Sequence, residues 1–171
     1  MENVSGLLGT PVSLGVTLNA NERLCGVANF DNAAKMDFIT FDLFTRAVVA
    51  RLYSGTAQTG SYSLYTLGPT EAVAGVGDFN VDRSQDLLIY NVLTRSLYAR
   101  LYRLSTFLGT ASFTTAPNTP SVPTALPALP AGLEPLGSTE ALTGYSYDLV
   151  FLDTASSATT IWRMSRLNRV A

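Results

Sequence analysis

The stretch GVGDFNVDRSQDLLIYNVLTRSLYARLY, residues 75–102, decides the fold because the chain carries it twice. Moved back by 49 residues, it lies without a gap on GVANFDNAAKMDFITFDLFTRAVVARLY, residues 26–53. Gly26/Gly75, Val27/Val76, Phe30/Phe79, Asp37/Asp86, Thr45/Thr94, Arg46/Arg95, Arg51/Arg100, Leu52/Leu101 and Tyr53/Tyr102 coincide, and upstream Glu22 falls on Glu71. A third, eroded copy is read from EALTG at 140–144, which echoes EAVAG at 71–75, and YDLVFLD at 147–153, which echoes QDLLIYN at 85–91. A fixed period near fifty, with short apolar runs alternating at period two, predicts stacked copies of one all-β unit.

Inside the second copy Asp78, Asn80, Asp82, Ser84 and Asp86 alternate along a short loop. Oxygen-bearing side chains at that spacing can converge on a hard cation, with calcium ahead of magnesium, so one calcium ion is the cofactor expected here. The competing reading is a solvated acidic turn between two strands. The first copy keeps only Asn29, Asp31 and Asp37. Ala33 and Ala34 replace the central ligand position and Lys35 adds a cation, so that degenerate loop is expected to be empty.

GVGDFN followed by DLLIYN resembles the FG-GAP/VCBS repeat of integrin-type β-propellers, well over residues 22–104 and weakly over 138–165. The resemblance implies metal positions at Asp78, Asn80, Asp82 and Asp86, with a backbone carbonyl near Ser84. Both loop glycines of the family are replaced, by Val81 and Arg83. Where such a backbone turns through positive φ, a residue with a Cβ costs on the order of 1 kcal/mol. The fold expected is all-β, with about three β-propeller blades built of four-stranded antiparallel sheets. A β-trefoil is the alternative.

One repeat domain over residues 1–171 is expected. Residues 1–20 form an orphan strand, because GTPVSLGVTL at 9–18 resembles the fourth-strand stretches GTAQTGSYSLYTL and GTASF. Residues 22–69 form the first blade, with strands near 22–30, 36–42, 47–53 and 60–66. Residues 71–115 form the second, with strands near 71–79, 86–91, 96–104 and 110–115. Residues 116–136 hold six of the eight prolines and read as an extended loop without a sheet role, either a linker or a docking arm. Residues 137–171 form an incomplete third blade with strands near 140–146, 147–153 and 158–165, in which the acidic loop is missing.

Hydrophobic content of 47% against 14% charged residues argues for a packed core. A net charge of −2 leaves no basic footprint for nucleic acid, and no apolar run is long enough to span a membrane as a helix. The opening MENVSGLLGTPVSLG lacks a basic n-region and a sustained apolar core, so no secretory signal is expected, whereas the family resemblance implies an extracytoplasmic location. Cys25 is the only cysteine and reads as a small buried hydrophobe. The chain has no histidine, which excludes Ser–His–Asp and Cys–His catalysis, and no enzymatic activity is expected.

Alternation places Arg51 and Tyr53, and likewise Tyr98, Arg100 and Tyr102, on one face of the third strand in each copy. These residues make either an inter-blade packing contact or, as in lectins that the resemblance brings to mind, a sugar site. The function expected is a non-catalytic scaffold or protein-interaction module, with a carbohydrate-binding lectin as the alternative. An orphan strand at one end and a blade short of its fourth strand predict association, as a two-fold homo-oligomer or within a heteromeric complex.

Overall fold

The computed structural model describes residues 16–31, 36–115, 128–139, 148–162, 164–165 and 168–169. The first copy folds as a four-stranded antiparallel meander of β1 (Glu22–Ala28), β2 (Asp37–Asp42), β3 (Ala47–Ser54) and β4 (Ala57–Thr66). The second repeats it with β5 (Glu71–Gly77), β6 (Asp86–Asn91), β7 (Ser96–Arg103) and β8 (Thr106–Ser112). After β9 (Thr114–Thr115), a third sheet has three strands: β10 (Leu133–Thr139), β11 (Asp148–Asp153) and β12 (Ala158–Trp162). The short β13 (Met164–Ser165) and β14 (Asn168–Arg169) pair with each other, and β14 runs parallel to β9.

The three larger sheets stand in a row, with the first strands β1, β5 and β10 as neighbours. Two cores fill the gaps. Phe30, Ile39, Val48, Ala50, Leu52 and Leu64 meet Leu87, Ile89 and Tyr102 between the first and second sheets. Phe79, Leu88, Tyr90, Ala99 and Phe113 meet Leu149, Phe151 and Trp162 between the second and third. The second sheet is therefore buried on both faces. This is why β6 reads as a continuous apolar run rather than an alternating one.

The row is open. None of the described sheets curls into a barrel and the row does not return to its start, so the expected β-propeller and its β-trefoil alternative are both corrected. The physical reason is number: wedge-shaped sheets close around an axis only from about four upward, and a trefoil needs a closed barrel that these separate meanders do not form.

The third copy is also placed differently. Its first described strand is β10, drawn from the end of the proline-rich stretch; the strand expected near 140–146 lies outside the described residues. β10 pairs with β11 as β5 pairs with β6, with a bulge at Pro135/Gly137 matching those at Val73/Gly75 and Leu24/Gly26. The interval from the end of the first strand to the aspartate opening the second is then equal in all three copies, so the loop expected to be missing is present in length. Its residues, 140–147, lie outside the described residues, as do most of the orphan strand near 9–18 and residues 116–127 of the linker or arm.

The bulge glycines set how closely the first strands approach. A Cβ at Gly75 would stand 2.8 Å from Ser138 Oγ and 3.2 Å from its backbone nitrogen; one at Gly26 would meet only the Val76 side chain, at 2.7 Å. Gly75→Ala is expected to cost about 1–3 kcal/mol, because backbone cannot step aside. Gly26→Ala should cost less, since Val76 can change rotamer. Denaturant unfolding of the two variants tests the order.

Candidate functional site

The acidic loop after β5 is an ordered turn that caps itself. Asp78 accepts hydrogen bonds from the amides of Asp82 (3.0 Å) and Arg83 (2.7 Å). Asn80 Oδ1 accepts from the Asp82 amide, and Asp82 Oδ1 from the Ser84 amide at 2.8 Å. Val81 and Arg83 hold φ of 63° and 69°, the left-handed conformation that the replaced glycines would have taken without strain. Among the described residues no group of three acidic, histidine or cysteine side chains lies close enough to hold a metal ion. As arranged, the carboxylates of Asp78 and Asp82 face their own loop's amides.

Asp86 has another task. Its side chain is fully buried; Oδ2 accepts the Phe79 amide at 2.9 Å and Oδ1 the Tyr102 amide at 2.8 Å. Asp37 does the same in the first sheet for the amides of Phe30 (2.7 Å) and Tyr53 (3.0 Å). Asp148 holds the equivalent register position in the third sheet and is also buried. The Asp37 and Asp86 carboxyls thus bracket the loop to the third strand from inside the fold. Burial pushes Asp86 up to about 7, helped by the charges of Asp82 and Asp78 and opposed by its two amide partners. In the first loop Asn29 Oδ1 is buried without a hydrogen-bond partner; Asp31 is partnered, and residues 32–35 lie outside the described residues.

The arginine–tyrosine faces diverge between copies. Arg51, on the side of the first sheet away from the second, forms an ion pair with Glu22, while Tyr53 packs edge-on against Phe38. Arg100 faces the first sheet instead. Its guanidinium carbon lies 3.6 Å from the Tyr65 ring centroid and 4.0 Å from that of Phe107, and Nε reaches Tyr102 Oη at 3.4 Å. Glu71, the counterpart of Glu22, accepts hydrogen bonds from the Gly68 amide (2.7 Å), Tyr65 Oη (2.8 Å) and Tyr98 Oη. Burial works against its charge, but these donors and nearby Arg100 overcome it and hold the carboxyl below its usual range. Tyr98 is pushed up, by burial first and then by Glu71. In the third sheet Trp162 occupies the arginine position and lies in the core.

Two features escaped the sequence reading. Arg46 and Arg95, noted only as coincident positions of the repeat, are clamps. Arg46 donates to the carbonyls of Leu67, Gly68 and Glu71; Arg95 donates to those of Leu129, Pro130 and Leu133. Each ties a hairpin to the chain entering the next sheet, and the repeated Thr-Arg pair was the available signal. The second feature is the apolar pair in the same hairpins: Leu43 and Phe44 in one, Val92 and Leu93 in the other. Phe44 is 80% exposed and Leu93 77%.

Cys25 is half-buried against the first core, and burial pushes its thiol up to about 11, as suits a small hydrophobe rather than a nucleophile. No helix among the described residues is long and apolar enough to cross a membrane. Comparison with known proteins finds no matching family model, no matching curated protein and no matching solved structure. With the row of sheets open as well, the FG-GAP/VCBS resemblance, and the propeller and lectin readings that came with it, are set aside.

Proposed function

We propose that this chain is a non-catalytic protein-interaction module that works within an assembly, a two-fold homo-oligomer being the simplest. The observation that carries the reading is the pair of apolar hairpin tips. Asp42 Oδ1 accepts the amides of Phe44 and Thr45, and Asn91 Oδ1 those of Leu93 and Thr94, so both turns are built by their polar first residue. The third copy builds the same turn on Asp153 with Thr154 and Ala155 at the tip. Turn geometry therefore does not require large apolar side chains at these positions. Four such groups held out in water on two neighbouring sheets are best accounted for by contact with a partner surface.

Replacing Leu43, Phe44, Val92 and Leu93 by the third copy's Thr-Ala pair is expected to leave the melting temperature within a few degrees of the parent. It should abolish association of the parent chain at micromolar concentration, measured by sedimentation velocity. A parent chain that sediments as a folded monomer would sink the homo-oligomer, and a variant that still associates would sink the role of the tips.

Calcium has no part in this proposal. Thermal melts in calcium and in chelator are expected to coincide, because Asp78 and Asp82 are engaged with their own loop's amides and Asp86 with buried ones. A higher melting temperature in calcium would restore the cation expected from the spacing.

A further inference from the structure

Three copies of one strand position have met three fates, and the middle one is open to a ligand. Arg51 is consumed by Glu22, and Trp162 is packed into the second core. Arg100 has neither fate. Arg51 is ion-paired with Glu22, whereas the counterpart Glu71 has turned to Gly68, Tyr65 and Tyr98. The cause lies in the order of sheets. The second sheet has a neighbour in front of it whose β4 supplies Tyr65; no described sheet stands in that place before the first.

Tyr65 and Phe107 flank Arg100 and hold the guanidinium by its ring contacts, while Nε is directed to Tyr102. What remains is the edge carrying Nη1 and Nη2. Beside it lies a groove of about 370 Å³ lined by Glu71, Ser96, Tyr98, Arg100, Thr110 and Ser112. A guanidinium fixed between aromatic rings with its N–H fork free is pre-organised for a planar two-oxygen acceptor. The hydroxyls of Thr110 and Ser112 stand on the same groove wall. Glu71 stays ionised on this groove wall and opposes an anion, so a ligand carboxylate must be held against it by the guanidinium fork. The three hydrogen bonds that Glu71 accepts keep its oxygens from occupying that fork.

We propose that Arg100 is the anchor of a carboxylate-binding site in the groove beside β7 and β8. It takes either a small carboxylate or the terminal carboxylate of a peptide. The site does not depend on the hairpin tips and stands or falls separately from the interaction surface proposed for them.

The test follows the Arg100 Nε–Hε resonance of the full chain by NMR in salt-matched buffer. The probes are acetate, a tripeptide with a free C-terminus, the same tripeptide amidated, and inorganic phosphate. Acetate and the free-acid peptide are expected to shift the resonance in a saturable way, and the amide to leave it unmoved. Arg100→Lys, which keeps the charge but not the fork, is expected to weaken binding at least tenfold, read from other groove resonances. Arg51→Lys should leave it unchanged. Tighter binding of the free-acid peptide than of acetate identifies a chain terminus as the source; equal binding identifies a small carboxylate. The proposal is overturned if no carboxylate shifts the parent resonance, if the amide binds as well as the acid, if phosphate binds tenfold tighter than either carboxylate, or if Arg51→Lys weakens binding as much as Arg100→Lys. The parent spectrum decides the first three outcomes even should a variant fold poorly.

Discussion

Asp86→Ala is expected to be among the most damaging single substitutions in the second sheet. It leaves the amides of Phe79 and Tyr102 buried without acceptors, at about 1–3 kcal/mol each, and opens a small cavity beside them. For a chain of this length that is a fall in melting temperature of roughly 10 °C. Asp86→Asn keeps the volume and one acceptor and should lose less. The two also differ in pH dependence. With a folded value near 7 against an ordinary 3.8, Asp86 holds its proton in the native state at pH values where the unfolded chain has released it. Its contribution is fully present below about pH 4 and is lost as the pH rises through 7. The parent should therefore lose stability, relative to Asp86→Asn, between pH 4 and 7.5. Parallel pH profiles for the two proteins would show that Asp86 is not the titrating group.

Arg95→Ala is expected to loosen the third sheet from the second. Three carbonyls lose a charged donor, a cost of about 3–5 kcal/mol allowing for non-additivity. Trp162 is the only tryptophan and lies in the core between those two sheets, its ring tilted 47° to that of Phe151 with the centroids 4.5 Å apart. Its emission should shift to the red at denaturant concentrations where the far-ultraviolet signal of the first two sheets persists. Arg46→Ala removes the matching clamp between the first and second sheets and should not move the tryptophan signal ahead of global unfolding. Equal behaviour of the two variants would mean that the clamps do not act joint by joint. Arg95→Lys should recover little, because one ammonium cannot span three carbonyls as the guanidinium fork does.

Most of the first two sheets was legible in the sequence. Period-two alternation put Arg51 on one face of β3 and Arg100 on one face of β7, which leaves Val48, Ala50, Leu52 and Ala99 on the opposite, core faces. The 49-residue shift carries the bounds of the first two strands from one copy to the other. The third copy was misread for a local reason. β10 carries Pro135 and Gly137, which argue against a strand, yet both sit at the bulge where a ladder hydrogen bond is already lost. The structural role of Asp86 was not legible for a different reason. Alternating oxygens resemble a cation loop whichever way they point, and only burial shows that the last of them faces inward. The anchor groove was half legible, because Arg100 and Tyr98 share β7. Tyr65 comes from another sheet, at no spacing that a repeat would reveal.

The clamps carry one more consequence, for how such a chain can lengthen. Arg46 grips the returning chain 21 residues downstream, whereas Arg95 grips its counterpart 34 residues downstream, with the same three-carbonyl hold. The longer span between the two pinned points costs only about a few tenths of a kcal/mol more to close. This junction behaves as a splice site: a foreign loop, a protease sequence or a whole small domain grafted there would inherit fixed ends.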